Sequence, residues 1–270
     1  MADPAIQPPM GPSGSAALLE VEAISCRFGG LLALDQVSFA VQPGEIFGVI
    51  GPNGAGKTTL FNLISGLGRP TAGEIRWRGA AITTEAPHRR NRLGLARTFQ
   101  NLRLFDRLTV LENLLVALHH RPRTAPLKAL VASSSHRRAE RQRLEQAHQL
   151  LSELGLAPLA ERQAAGLAYG DRRRLEIARA LATGPSLLLL DEPAAGMNPS
   201  EKEDLCRLLL TLRQRHGLTL MLIEHHVPLL MGLCDRMAVL DFGVRIALGS
   251  PEMVRNDPRV IEAYLGGAGG

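Results

Sequence analysis

The sequence predicts an α/β fold with a mostly parallel core sheet, because two apolar runs are each followed by turn or helix signals. The first run, Ile46–Ile50, precedes a glycine-rich turn and a helical pattern over Lys57–Ser65. The second, residues 187–190, is four leucines bounded by a proline and an acidic pair, which is typical of a strand buried on both faces of a parallel sheet. Between the two runs, residues from about 111 to 155 predict a helical insert.

The glycine-rich turn, GPNGAGKTT, fills every fixed position of the pattern G-x-x-x-x-G-K-[ST]. Its glycines let backbone N–H groups point inward at phosphate oxygens, and the helix that follows adds the positive end of its dipole. The lysine would reach the β- and γ-phosphates, and the threonine after it would bind Mg²⁺. The alternative is a glycine-rich turn that binds no ligand. We disfavour it, because both the full motif and the expected strand and helix on either side are present. The sequence therefore predicts a nucleoside triphosphate site made by Gly51, Pro52, Asn53, Gly54, Ala55, Gly56, Lys57, Thr58 and Thr59.

The second predicted strand ends in two carboxylates, Asp191 and Glu192. Ligands of open α/β sheets bind at the carboxyl ends of the strands, so both side chains are expected at the phosphate site. Asp191 is placed to hold Mg²⁺, and Glu192 to accept a proton from the water that attacks the γ-phosphate. Taken alone, the pair could instead cap a helix. Beside the phosphate-binding turn, we favour the catalytic interpretation.

Residues 167–181, LAYGDRRRLEIARAL, resemble the signature of ABC-transporter ATP-binding subunits, usually written LSGGQ and followed by a helix rich in arginine and alanine. A helix N-terminus offers free N–H groups and a positive dipole to a phosphate. In that family the phosphate belongs to ATP held by a second subunit. The resemblance implies that such an ATP is contacted by Ala168, Tyr169, Gly170 and Asp171. The helix taken alone would be an amphipathic surface helix.

Three further positions match the same family. Phe28 stands where an aromatic ring stacks on adenine, 23 residues before Gly51. Gln100 matches the glutamine that touches Mg²⁺ and moves with the membrane partner. His225, which follows a predicted strand, matches the histidine that senses the γ-phosphate. Each match alone is weak, but together they occur in the order the family requires.

Within this family the likeness is greatest to the ATP-binding subunits of branched-chain amino-acid importers. It is carried by RFGGL at 27–31, LAYG at 167–170, DEPAAGMNP at 191–199, LIEH at 222–225 and VIEAYLG at 260–266. The resemblance implies an ATPase that powers uptake of branched-chain or other hydrophobic amino acids. Its implied partners are a second ATP-binding subunit (a copy or a close homologue), two transmembrane permease subunits and a solute-binding protein. The implied location is the cytoplasmic face of the inner membrane, as a peripheral subunit.

Two other functions remain open at this stage. The same type of ATPase subunit could power a urea or amide importer. Alternatively, the chain could be a soluble ABC ATPase that acts on nucleic acid or ribosomes. The latter class generally has two ATP modules or a long coiled-coil insertion, and neither is visible in the sequence. A small-molecule kinase or GTPase would not explain the signature or His225.

Four positions depart from the usual family pattern. Ala168 replaces a serine, Asp171 a glutamine, Asn198 an aspartate, and His226 an aspartate. We expect these changes to tune hydrolysis and dimer affinity without abolishing activity, with Arg172 offsetting the charge of Asp171.

The rest of the chain fits a single module. Of its 270 residues 45% are hydrophobic, its formal net charge is +5, and its three cysteines lack metal or disulfide spacing, which fits a reducing compartment. We expect a disordered leader over residues 1–17, a nucleotide-binding domain over 18–266 and a flexible tail over 267–270. The domain would be an α/β core with an antiparallel β subdomain and an inserted helical subdomain at about 100–183. No internal repeat is visible, so a composite site requires two chains.

Two surface segments have more than one interpretation. In the resembled family, the neighbourhood of residues 102–108 forms a groove that receives a short helix of the membrane subunit, although these apolar residues could also be core of the insert. The basic run over residues 121–143 could be a solvated helix face, a contact with anionic lipid headgroups, or a nucleic-acid site. Because the run holds no aromatic side chain, we predict no nucleic-acid partner.

Overall fold

A computed structural model of the chain describes residues 16–99, 103–119 and 134–265. In chain order its strands are Leu19–Phe28 (β1), Leu31–Val41 (β2), Ile46–Ile50 (β3), Ala72–Trp77 (β4), Ala80–Ala81 (β5), Leu95–Arg97 (β6), Leu187–Asp191 (β7), Thr219–Ile223 (β8), Arg236–Asp241 (β9) and Val244–Gly249 (β10). Its α-helices are Lys57–Ser65 (α1), Pro87–Arg92 (α2), Val110–His119 (α3), Ser134–Glu153 (α4), Tyr169–Ala182 (α5), Pro199–His216 (α6), Val227–Leu233 (α7), Pro251–Arg255 (α8) and Pro258–Leu265 (α9).

The larger sheet has the strand order β10-β9-β3-β8-β7-β6 and confirms the predicted, mostly parallel core. All neighbouring strands are parallel except β9 and β10. Strands β3, β7 and β8 are buried along their whole length, which explains why each is an almost unbroken apolar run. Ile223 pairs with both Val49 and Asp191, so the carboxyl ends of these three strands meet at one edge of the sheet.

The smaller sheet is antiparallel, with the order β2-β1-β4-β5, as the family resemblance implied. An apolar core lies between it and one face of the larger sheet. In that core Phe39 of β2 stacks on Phe47 of β3, with ring centroids 5.1 Å apart. The backbone N–H of Asp35 also donates to the carbonyl of Gly243, 2.9 Å away, which ties β2 to the turn between β9 and β10.

Helices α3, α4 and α5 pack together and share a second apolar core with the other face of the larger sheet. The described part of the predicted insert is therefore helical. Helix α3 begins at Val110 because Thr109 and Glu112 form a reciprocal cap. The Glu112 N–H donates to Thr109 Oγ1 over 3.1 Å, and the Thr109 N–H donates to Glu112 Oε2 over 2.7 Å.

Several predicted segments lie outside the described residues: most of the leader, Gln100, the first part of the basic run, and the tail. Across the three described stretches, no helix combines the length and the apolar character needed to cross a bilayer.

Candidate functional site

The glycine-rich turn joins β3 to α1, and two of its glycines are required by close backbone approaches. Gly51 has φ 151°, and a Cβ there would lie 2.0 Å from the carbonyl oxygen of Leu240. Gly56 has φ 98°, and a Cβ there would lie 2.6 Å from the carbonyl oxygen of Ala33. Gly56 is also the N-cap of α1 and supplies no side-chain hydrogen bond. The first N–H groups of the helix are therefore left for an anion.

Lys57 is the first residue of α1, and its side chain is folded back onto the turn. Its Nζ donates to the carbonyl oxygens of Gly51 and Pro52, each 2.8 Å away. Burial lowers the pKa of the Lys57 ammonium, while the nearby charges of Glu192 and Asp191 act in the opposite direction. The ammonium is thus next to the acidic strand end and has two carbonyl partners that it can exchange for phosphate oxygens.

Asp191, the last residue of β7, is 1% exposed and has two differently placed carboxylate oxygens. Oδ2 accepts a hydrogen bond from Nη2 of Arg97, 2.8 Å away. Oδ1 is buried and has no hydrogen-bond partner among the described residues. An orphaned carboxylate oxygen is costly unless another group binds it, and it fits the hard, oxygen-binding cation that the sequence predicts.

Glu192 and His225 lie at the ends of β7 and β8 and contact each other. His225 Nε2 is 2.7 Å from Glu192 Oε1. Glu192 has φ 47°, the left-handed region that side chains other than glycine rarely adopt, and its N–H donates to the carbonyl of Ile223 over 2.9 Å. Such strain persists only where the surroundings enforce it, and it is concentrated at functional sites.

Two residues of this site, Arg97 and Glu224, had no predicted role. Glu224 is 4% exposed, and its Oε1 accepts a hydrogen bond from the Ala194 N–H over 2.6 Å. Burial raises the pKa of the Glu224 carboxyl. The signal available in the sequence was a charged residue at the end of an apolar strand, where burial makes a specific partner necessary.

The signature segment forms the start of α5. Its N-cap, Ala168, offers no side-chain hydrogen bond, so the N–H groups of the first turn are available to a ligand. The Tyr169 ring lies beside Gly196, where a built Cβ would be 3.5 Å from the ring. Among the described residues, no hydrogen bond or ion pair joins this segment to the glycine-rich turn. The structure thus brings together Lys57, Asp191, Glu192 and His225, and it places the signature beside the loop that follows β7.

Arg172, which we expected to offset the charge of Asp171, forms an ion pair with another carboxylate. Its Nη2 donates instead to Asp106 Oδ1, 2.6 Å away in the loop before α3. The expected offset of the Asp171 charge would therefore act at a distance, since the side chain points across to the neighbouring loop.

The two remaining family positions are Phe28 and Gln100. Phe28 is the last residue of β1 and is 60% exposed, which leaves its ring open to a stacking partner. Gln100 is outside the described residues, but Phe99 before it is held by α5. Its N–H donates to Glu176 Oε1 over 3.0 Å, and its carbonyl accepts from Arg173 Nη1 over 2.9 Å.

Two of the departures from the family pattern are helix caps. Asn198 is the N-cap of α6 and forms a capping box with Glu201, with distances of 3.0 and 2.9 Å. His226 is the N-cap of α7, where its Nδ1 accepts from the Leu229 N–H over 3.3 Å. Both residues therefore have local structural roles as helix caps.

Comparison with known proteins gives matches over nearly the whole chain. A family model described as ABC transporter matches residues 34–195, and one described as branched-chain amino acid ATP-binding cassette transporter matches residues 244–269. The chain is 48% identical to the high-affinity branched-chain amino acid transport ATP-binding protein LivG of Escherichia coli K12, over 94% of this chain and 100% of LivG. It is 47% identical to the corresponding protein BraF of Pseudomonas aeruginosa, with the same coverage.

The fold is also similar to that of solved structures. MJ1267, an ATP-binding cassette of an ABC transporter, superposes with a TM-score of 0.81 at 33% identity, covering 93% of this chain and 99% of MJ1267. The matches to LivG, BraF and MJ1267 each cover at least 93% of this chain. The chain therefore belongs to the ABC transporter family, as an ATP-binding cassette that hydrolyses ATP.

Proposed function

We propose that this cassette powers the uptake of branched-chain or other hydrophobic amino acids through partner membrane subunits. The observation that carries the cargo assignment is the similarity to LivG and BraF over their whole length, together with the C-terminal match at residues 244–269 to a branched-chain amino acid transporter family. The cargo would not contact this subunit, so we expect no cargo-binding residue in it. The cassette would sit at the cytoplasmic face of the plasma membrane, attached to its partners.

Hydrolysis would use the residues gathered at the edge of the larger sheet. The turn 51–59 would cradle the phosphates, with Lys57 exchanging its carbonyl partners for phosphate oxygens. Phe28 would stack on adenine. Thr58, Asp191 and Gln100 would hold Mg²⁺, and the orphaned Asp191 Oδ1 supports this role. The ion would neutralise charge that develops on the phosphate oxygens.

Glu192 would act on the attacking water, and His225 on the γ-phosphate. Glu192 would accept the proton of the attacking water, and the 2.7 Å contact between its Oε1 and His225 Nε2 would hold the carboxyl group in position. His225 would then exchange this partner for the γ-phosphate. Both side chains are held at strand ends, so little reorganisation is needed before the reaction.

A second cassette would complete the site with its own signature segment. Gly170 is compatible with this arrangement, because a Cβ built there meets only Glu201 Oε1, at 3.9 Å. Packing within the chain therefore does not require a glycine at this position, and a requirement for one would come from a ligand outside the chain. Residues 168–171 would contact ATP bound to the opposite subunit, which we propose to be a second copy of this chain.

The permease subunits would dock on the helical subdomain, at about residues 100–183. A groove of about 460 Å³ there is lined by Leu108, Glu112, Leu115, Val116 and His119. Nearby, the half-exposed ring of Phe105 lies 4.7 Å from the guanidinium of Arg179. An apolar groove with charged margins suits a short amphipathic helix. A solute-binding protein would deliver the cargo on the opposite side of the membrane.

The test reconstitutes the cassette and its membrane subunits in lipid vesicles that enclose ATP, and measures uptake of radiolabelled leucine with the solute-binding protein present outside. Uptake should require ATP and be lost with Lys57→Ala, and excess isoleucine or valine should compete where urea does not. Stimulation of ATPase activity and uptake by urea or an amide alone would overturn the amino-acid assignment. Copurification of RNA without membrane subunits would overturn the transport role.

A further inference from the structure

Arg97, the last residue of β6, joins the acidic strand end to the helix of the phosphate-binding turn. Its side chain is only 6% exposed. Nη2 donates to Asp191 Oδ2 over 2.8 Å, and Nη1 donates to Asn62 Oδ1 over 2.8 Å and to Ser65 Oγ over 2.9 Å. One guanidinium therefore binds β7 and α1 at the same time.

Two aromatic rings flank this guanidinium. Its central carbon lies 5.7 Å from the ring centroid of Phe61 in α1 and 5.3 Å from that of Phe99. Contacts of this kind favour a cation and restrict its orientation. The Nε atom is buried without a hydrogen-bond partner among the described residues, so the polar contacts of Arg97 are made through its two terminal nitrogens.

We propose that Arg97 is a positioning residue that fixes the orientation of the Asp191 carboxylate for the metal ion of ATP hydrolysis. By holding Oδ2 against α1, it leaves Oδ1 as the oxygen that is free to bind the ion. The proposal rests on the proposed function, in which Asp191 serves Mg²⁺. Partners that orient metal-binding groups in this way commonly matter to a metal site nearly as much as the ligands.

Positioning and simple electrostatics predict opposite effects of removing Arg97. A positive charge beside Asp191 repels a second cation, so loss of that charge alone would strengthen Mg²⁺ binding. Loss of the fixed orientation of the Asp191 carboxylate would instead weaken Mg²⁺ binding. Lysine separates the two effects, because it keeps the charge but has a single nitrogen, which cannot bridge the three acceptors that the planar guanidinium reaches.

The experiment measures ATP binding by the full-length chain in a Glu192→Gln background, so that ATP is not consumed. Binding is titrated once in EDTA and once against rising Mg²⁺. We expect Arg97→Lys to leave ATP affinity in EDTA unchanged. The Mg²⁺ midpoint, which is the Mg²⁺ concentration that gives half of the maximal increase in ATP binding, should rise by at least about tenfold. Asn62→Ala, which removes one anchor on α1 but keeps the ion pair, should give a smaller shift in the same direction.

Arg78→Lys is the matched control. Arg78 also donates to a serine hydroxyl, Ser186 Oγ at 2.7 Å, and also lies over an aromatic ring, that of Trp77 at 5.6 Å. Because its contacts lie away from Asp191, its replacement should leave the Mg²⁺ midpoint unchanged.

Three results would overturn the proposal. The first is an unchanged Mg²⁺ midpoint in Arg97→Lys. The second is a lower midpoint in Arg97→Met, which would assign the residue an electrostatic role only. The third is an equal loss of ATP binding in EDTA and in Mg²⁺ together with a lower melting temperature, which would make the residue purely structural. If the parent protein itself shows no Mg²⁺ response and Asp191→Asn changes nothing, the metal part of the proposed function fails as well.

Discussion

His225 Nε2 lies 2.7 Å from Glu192 Oε1, although the two residues are 33 positions apart in the sequence. The contact follows from the sheet, because β7 and β8 are parallel and Asp191 pairs with Ile223. Each residue follows the carboxyl end of its strand, and the backbone of Glu192 is in the left-handed region. We expect the two residues to act in the same step of hydrolysis.

Replacing the carboxylate tests this step. Glu192→Gln keeps the size of the side chain and a carbonyl oxygen near His225, but it cannot accept a proton from water. We expect ATP binding to be retained and turnover to fall by at least about 100-fold, the scale of a lost general base. Steady-state ATPase assays and ATP titration measure the two quantities. Glu203→Gln, at an exposed carboxylate on α6, is the control and should not change turnover. Wild-type turnover in Glu192→Gln would show that Glu192 is not the general base.

Lys57 of the glycine-rich turn should contribute to nucleotide affinity as well as to turnover. A hydrogen bond to a charged group is worth about 1.5 to 3 kcal/mol, so Lys57→Ala should weaken ATP binding by about 10- to 100-fold. Isothermal titration with ATP measures the change, and Lys202→Ala on α6 serves as the control. An unchanged titration curve for Lys57→Ala would refute the predicted cradle.

The buried carboxyl of Glu224 should give the fold a particular pH dependence. Burial raises its pKa, while the Ala194 N–H lowers it and the Glu192 charge raises it further. A carboxyl whose folded-state pKa exceeds its unfolded value stabilises the fold fully only at low pH. This contribution is lost as the pH rises from the ordinary value of Glu, about 4.3, toward the shifted value.

Glu224→Gln cannot ionise and still offers an oxygen to Ala194. Its stability relative to the wild type should therefore increase as the pH rises through that window and then level off. Thermal melts of both proteins across the pH range give the difference directly, with the exposed Glu145→Gln as the control. A difference that is independent of pH, or that decreases as the pH rises, would contradict the direction of the shift.

Arg90 should be one of the most important side chains for stability. It is 1% exposed, and its guanidinium donates to the carbonyl oxygens of Leu63 and Ile64 at the end of α1, and to those of Thr83 and Glu85. Burial lowers its pKa to about 10, so it remains charged at neutral pH. Arg90→Met would leave these acceptors without their partner, and we expect it to cost about 3 to 5 kcal/mol of folding free energy.

The neighbouring Arg89 is the natural control for that measurement. Arg89 forms a solvent-exposed pair with Glu85, at 3.3 Å, so Arg89→Met should change stability by less than about 1 kcal/mol. Urea unfolding of the wild type, Arg90→Met and Arg89→Met gives the three free energies of unfolding. Equal effects of the two substitutions would show that the end of α1 does not depend on the buried guanidinium.

The sheet and the glycine-rich turn could be predicted from the sequence because each depends on contiguous residues. Continuous apolar runs predicted β3 and β7, and the order of motifs predicted that Asp191 and Glu192 lie near Lys57. Their roles in hydrolysis stay predictions.

Other features could not be predicted because they depend on contacts between distant segments. The bond from Arg97 to Asp191 spans 94 positions, and that from Glu224 to Ala194 spans 30. Nothing local to Arg172 indicated that it would pair with Asp106, 66 positions away. The capping box of α6 is an exception, because Asn198 and Glu201 have the spacing of this motif, which is a local signal in the sequence.

We propose that the signature of one cassette completes the ATP site of another, and mixing two inactive variants provides a direct test. Lys57→Ala disables the phosphate-binding turn, and Gly170→Asp places a negative charge at the signature, where a Cβ meets no obstacle within the chain. Each variant alone should hydrolyse ATP very slowly.

An equal mixture should recover activity, because a mixed dimer has one site with an intact turn and an intact signature. Random pairing makes half of the dimers mixed, so the predicted rate is about one quarter of the wild-type rate. A Gly170→Asp protein that by itself hydrolyses ATP as fast as the wild type would contradict the account.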